Sequence, residues 1–140
     1  MPITKGYQQL VAEAMAEVKT YSVAEVQARL NDADVQVVDI RDIRELTDGT
    51  VQNAFHAPRG MLEFWVDPAS PYHKPIFADE GKEFILFCGA GWRSALATKA
   101  LQDMGMSNVA HIDGGWAEWI KQGAPTETLE QQKARRRPKA

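Results

Sequence analysis

Apolar positions recur along this chain at two spacings, and the two alternate. Tyr7, Leu10, Val11, Ala14, Met15 and Val18 repeat at helical spacing, which predicts an opening amphipathic helix packed on the main body. Ser22 and Glu25 have capping-box spacing, and Val23, Val26 and Leu30 supply a short inward face. Val35-Gln-Val-Val-Asp-Ile40 is rich in β-branched residues between acidic turns, the pattern of a buried strand. Asp42 to Leu46 suits a short helix stopped near Gly49, and Ala54 to Ala57 a short strand ending at Pro58. Residues 60–82 are irregular, punctuated by Pro68, Pro71, Pro75 and Gly81; so long a connection usually packs over something or shapes a site. Phe84-Ile-Leu-Phe87 reads as a central strand. A helix from about Arg93 follows, with Ala97, Ala100, Leu101 and Met104 on its inner face and Gly105 as its cap. Asn108 to Ile112 is another strand, and Gly115 to Lys121 a last helix held by Trp116 and Trp119. Strands alternating with helices predict an α/β layer fold with a mostly parallel sheet.

Composition narrows the classes. With 140 residues, 44% of them hydrophobic, the chain suits one domain around one core. From Thr126 onward the formal charge is +3, while the remainder carries −6. So acidic a body argues against nucleic acid as a partner, and the basic ending reads as a solvated, disordered tail. The single cysteine excludes an internal disulfide and a multi-cysteine zinc site. His56, His73 and His111 lack metal-ligand spacing, so ordinary polar or packing roles are expected, with no metal and no cofactor. No apolar stretch approaches the about 20 residues of a membrane span, and the amino terminus has no cleavable apolar core. A reducing cytoplasm is the expected location.

The chemistry concentrates at Cys88-Gly-Ala-Gly-Trp-Arg-Ser94. In a parallel sheet, ligands sit beyond the carboxyl ends of the strands, where Cys88 falls. Gly89 and Gly91 let the backbone take positive φ and turn N–H groups inward, and the following helix adds its amino-terminal dipole. Arg93 contributes a nearby cation. A thiol in that setting ionises below its ordinary pKa of about 8.5, so Cys88 reads as a nucleophile rather than a small buried hydrophobe.

This loop resembles the active loop of single-domain rhodanese sulfurtransferases, commonly Cys-x-x-Gly-x-Arg-Ser. Val38-Asp-Ile-Arg-Asp-Ile-Arg-Glu45 is similar to that family's strand-and-turn signature, and Gly114-Gly-Trp-Ala-Glu-Trp119 to its closing Gly-Gly-x-x-x-Trp. The likeness runs in register from about Tyr21 to Pro125. It implies a doubly wound α/β domain over residues 21–125, with five mostly parallel strands, helices on both faces and Tyr21 near the first strand. Residues 1–20 then form an amino-terminal extension and 126–140 the tail. It also implies sulfurtransferase activity, in which Cys88 takes a sulfane sulfur from a small donor such as thiosulfate and passes it, as a persulfide, to cyanide or a thiol. Gly89, Ala90, Gly91, Trp92 and Arg93 would cradle the sulfur and donor. A sulfur-accepting protein could take the place of the small acceptor, which leaves a non-catalytic persulfide carrier or sensor as the alternative.

Loop length separates this chemistry from a related one. Cysteine-loop phosphatases and arsenate reductases place five residues between cysteine and arginine, whereas here four lie between Cys88 and Arg93. Ser94 stands where their arginine would be, and the loop carries no aspartate or glutamate to act as general acid. The cradle therefore suits one sulfur better than a tetrahedral oxyanion. Where the family usually reads Gly-His-Ile-Pro-Gly-Ala, this chain has Gly49-Thr-Val-Gln-Asn-Ala54, so altered packing is expected there. Asp39, Arg41 and Glu45 are expected to form a structural polar cluster, Arg41 and Glu45 pairing across four positions. Trp92 either packs on the surface or narrows the mouth, and Arg59 is either a donor-anion contact or a surface arginine.

Overall fold

The computed structural model of the chain describes residues 2–136. Helix α1 spans Tyr7–Glu17, followed by β1 (Thr20–Tyr21), α2 (Val23–Ala28) and β2 (Val35–Asp39). A 3-10 turn at Ile43–Asp48 leads to β3 (Thr50–Val51), β4 (Phe55–His56) and α3 (Leu62–Val66). The second half comprises β5 (Glu83–Phe87), α4 (Trp92–Asp103), β6 (Val109–Ile112), α5 (Gly115–Lys121), β7 (Thr126–Glu127) and α6 (Leu129–Arg136).

Five strands form one sheet in the order β1-β6-β5-β2-β4, every pairing parallel. Successive side chains of a strand point to opposite faces, so each central strand feeds two cores. Val37, Ile85 and Phe87 pack with α2 residues Val23 and Val26 and with Trp119 of α5. Val38, Phe84, Leu86 and Cys88 pack on the other face with Leu62 of α3 and with Ala97 and Leu101 of α4. Continuous apolar runs were the sequence signature of such doubly covered strands. The Ser22–Glu25 capping box forms as spaced. Among the described residues, no helix is long and apolar enough to cross a membrane.

Three local readings are corrected. Met104 was expected on the inner face of α4 but is the residue after its last turn, and it is 46% exposed. Helix α1 rests on α4 through Ala14, fully buried, while Tyr7 and Leu10 at the start of its stripe remain exposed. The expected disordered tail is folded over 126–136. Strand β7 pairs antiparallel with β3, Thr50 opposite Glu127, and α6 buries Gln132 while Arg135 Nη2 donates to the Ala54 carbonyl at 2.9 Å. Glu127 accepts an ion pair from Arg135, so a basic side chain that composition assigns to solvent has an acidic partner within the fold. Arg137 and Lys139 of that tail lie outside the described residues.

The departures near Gly49 have local explanations. Thr50 Oγ1 donates to Asp39 Oδ2 at 2.7 Å within the buried cluster. Asn53 takes φ +70°, and a short polar side chain tolerates that left-handed conformation at a turn.

Candidate active site

Cys88 follows β5, the middle strand, at the carboxyl edge of the sheet. Its Sγ accepts hydrogen bonds from the backbone N–H of Gly91 at 3.2 Å and of Ser94 at 3.3 Å. Ser94 lies in the first turn of α4, whose leading N–H groups have no partner inside the helix. The sulfur thus takes a place that a capping oxygen fills in other helices, and helix dipole and N–H groups both favour negative charge there. Gly91 reaches this geometry at φ +101°, which only glycine adopts without strain; Gly89 was expected to do the same, but its φ is not positive.

Helix α5 fixes the loop from behind. Trp116 N–H donates to the Cys88 carbonyl at 2.7 Å, and Ala117 N–H to the Gly89 carbonyl at 3.0 Å. The amino end of α5 therefore holds two loop peptides by their oxygens. A Cβ on Gly115 would lie 2.4 Å from the Cys88 oxygen, so Gly114-Gly115 is the device that permits the approach. The sequence carried this signal in its closing Gly-Gly, although not its target.

The other candidates are dispersed around this centre. Ala90 and Trp92 are exposed, Gly89 half-buried and Gly91 buried. Trp92, 55% exposed, meets the Tyr7 ring of α1 at 5.2 Å between centroids, and the two border a groove of about 230 Å³ with Val11 and Ala12. Arg93 makes a fork-to-fork pair with Glu45, Nη1 to Oε2 at 2.9 Å and Nη2 to Oε1 at 3.0 Å. The pair stands over the loop, because a Cβ on Gly89 would be 3.1 Å from Arg93 Nη2. The Glu45 carboxylate, and after it the Cys88 sulfur, holds the Arg93 guanidinium above its usual pKa. Hydrogen bonding from Arg93 in turn lowers that of Glu45. Arg59 Nη1 is committed to Glu63 at 2.7 Å, although its backbone N–H reaches Ile40 at the same sheet edge.

Glu45 corrects the expected cluster. Arg41 pairs with Asp39, not with the Glu45 side chain, and touches Glu45 through its carbonyl at 3.3 Å. Arg41 lies outside the 3-10 turn, separated from it by Asp42 in extended backbone, so the helical four-residue spacing that would bring it to Glu45 does not exist.

A residue expected to be ordinary also lies at the centre. His111 Nδ1 is 2.9 Å from Ser94 Oγ, and its Nε2 is 3.0 Å from Thr20 Oγ1. The Cys88 thiol can donate to the same Ser94 oxygen at 3.6 Å. Burial pushes the His111 pKa down, partly offset by the Asp113 charge. No group of three or more His, Cys, Asp or Glu residues arranged to hold a metal occurs among the described residues.

Residues 22–122 match the model of the Rhodanese-like domain family. A solved structure of a Rhodopseudomonas palustris protein of unknown function, described as a possible tyrosine phosphatase, is 46% identical with TM-score 0.86, over 91% of this chain and 98% of its own. Human thiosulfate:glutathione sulfurtransferase is 27% identical over 76% of this chain and 97% of its length. A tRNA uridine(34) hydroxylase of Erwinia tasmaniensis is 32% identical over 73% of this chain, which spans 29% of that longer protein. With a doubly wound parallel sheet, a cysteine loop beyond its middle strand and this match over most of its length, the chain belongs to the rhodanese-like sulfurtransferase family.

Proposed function

We propose that this chain transfers sulfane sulfur from a small anionic donor such as thiosulfate to a thiol or cyanide through a persulfide on Cys88. The supporting observation is the Cys88 sulfur, held by two backbone N–H groups, those of Gly91 and Ser94, where the loop after β5 turns into α4. The Cys88 thiolate attacks the outer sulfur of the donor; the donor S–S bond breaks and sulfite leaves with the electron pair. The persulfide keeps its charge within the loop, where Gly91 and Ser94 donate and Gly89, Ala90 and Trp92 form the rim. An acceptor thiolate or cyanide then attacks the outer sulfur, and Cys88 departs as thiolate. Arg93 meets the donor's anionic end at the mouth. Both arginines share their charge with a carboxylate, and Arg93 stands over Gly89 of the loop, so Arg59 is the lesser anion contact of the two.

The phosphatase description of the Rhodopseudomonas relative motivates the second reading. It fits poorly here. The position a phosphatase arginine would need is Ser94, fully buried and bonded to His111. Glu45, the carboxylate at the mouth, is held ionised by Arg93 and has no proton for a leaving alcohol.

Steady-state turnover of thiosulfate with cyanide and with several thiols tests the proposal, with an aryl phosphate alongside. Sulfite release with at least one acceptor, raised KM for thiosulfate in Arg93→Ala and little change in Arg59→Ala are expected. Persulfide formation without turnover on any small acceptor would make the protein a carrier that delivers to a protein partner. Hydrolysis of the aryl phosphate without sulfite release would replace the proposal by the phosphatase reading.

A further inference from the structure

Sulfur transfer as proposed begins with a thiolate, and Cys88, 1% exposed, has little direct contact with water to take its proton. One hydrogen-bonded chain leads away from it. The thiol faces Ser94 Oγ at 3.6 Å, that oxygen lies 2.9 Å from His111 Nδ1, and His111 Nε2 lies 3.0 Å from Thr20 Oγ1 on the edge strand β1. Ser94 and His111 are both fully buried, and each is a polar group whose burial otherwise carries a cost. The Ser94 hydroxyl also reaches the Gly91 carbonyl at 3.3 Å, whereas the imidazole makes no bond to the loop backbone, whose Cys88 and Gly89 carbonyls are held from α5.

The geometry points to His111 as the group that receives the Cys88 proton, with the Ser94 hydroxyl as carrier; this rests on the reading of Cys88 as nucleophile. The step balances as a proton shift. The S–H bond breaks and leaves its electron pair on sulfur, the proton joins Ser94 Oγ, and the Ser94 O–H gives its own proton to Nδ1. The products are a thiolate and an imidazolium, with Thr20 Oγ1 accepting from Nε2–H. No oxidant or second reactant is required. His111 does not touch the reacting sulfur, so it is a positioning residue acting through Ser94. The surroundings suit a base that rests neutral. Burial lowers its pKa, Asp113 at the end of its own strand raises it, and the groups facing it from β1 and α4 are the uncharged hydroxyls of Thr20 and Ser94. Once sulfite has left, the persulfide anion retains the same counter-ion.

The test is the rate of Cys88 alkylation by iodoacetamide as a function of pH, on the full chain. Wild-type protein should stay reactive well below neutral pH, rising first as His111 becomes free base and again as the pair loses its last proton. Ser94→Ala cuts the chain, and His111→Asn keeps a hydrogen-bonding amide toward Ser94 without a basic nitrogen. Each should remove the acid-side reactivity and slow alkylation near neutral pH about tenfold, equivalent to one pKa unit. The double variant should be no slower than either single one, since both break one path. An unchanged profile in His111→Asn, or additive losses in the double variant, would overturn the inference. Ser94→Ala, nearly isosteric, carries the test alone if His111→Asn fails to fold. Intact mass after thiosulfate treatment separates the two proposals. Sulfur gain by wild type with an unshifted His111→Asn profile defeats the relay alone, and a shifted profile without sulfur gain defeats sulfur transfer alone.

Discussion

Two buried polar clusters flank the middle strands of this sheet, and they are built to opposite ends. In the first, Arg41 donates to Asp39 and the Gly49 carbonyl, Thr50 donates to Asp39, and the guanidinium lies over the Trp116 ring at 4.7 Å. Charge meets countercharge, and each guanidinium nitrogen has a fixed acceptor. In the second, Cys88, Ser94, His111 and Thr20 are joined through thiol, hydroxyl and imidazole, groups that can each give or take a proton. The first arrangement can only be kept or broken. The second has two protonation patterns within one set of distances, which is what a nucleophile that must ionise inside a core requires. Glu45 joins the two, its carbonyl accepting from Arg41 and its carboxylate pairing with Arg93 over the loop.

The sharpest way to break the comparison is to strip the first cluster of its cation. Arg41→Met leaves Asp39 buried and unpaired, and should cost about 3–5 kcal/mol in denaturant unfolding. Adding Asp39→Leu to that variant should restore much of the loss, because no lone charge then remains. A small loss in the single variant would show that the cluster is hydrated and not sealed.

The second cluster should instead respond to pH. The native His111 pKa lies below that of an unfolded histidine, so the unfolded chain binds the proton first as pH falls. Its contribution to stability is complete above about pH 6.5 and is lost as pH falls below that value through the native pKa. His111→Asn should flatten this part of the acid limb in thermal melts recorded across pH. The residue that links the clusters should have the smallest structural effect. Glu45→Gln removes a half-exposed ion pair worth under about 1 kcal/mol of stability. Under the sulfur-transfer proposal it also frees the Arg93 fork from a competing carboxylate, so KM for thiosulfate should fall roughly two- to fivefold, matching that energy.

Much of the sheet was legible in the residues. Val35 to Ile40 is rich in β-branched residues and Phe84 to Phe87 is wholly apolar because both faces of these strands are covered, and the Ser22–Glu25 spacing encodes its cap locally. The cysteine loop announced itself because the strand, glycines and helix that shape it are consecutive. What escaped depends on partners far apart in the chain. Glu45 meets Arg93 across 48 positions and His111 meets Thr20 across 91, distances that no spacing rule reaches. Nothing in the residues beside His111 signals a hydroxyl on α4. The charge of the segment from Thr126 suggests solvent, whereas Arg135 and Gln132 anchor it against Ala54 and β7 pairs with β3.

The central claim is that Cys88 carries the sulfur, and intact mass spectrometry after incubation with thiosulfate tests it most directly. Wild-type protein should gain the mass of one sulfur atom, lose it on addition of cyanide or an acceptor thiol, and show no gain in Cys88→Ser. No gain in the wild type, or an equal gain in Cys88→Ser, would contradict the account.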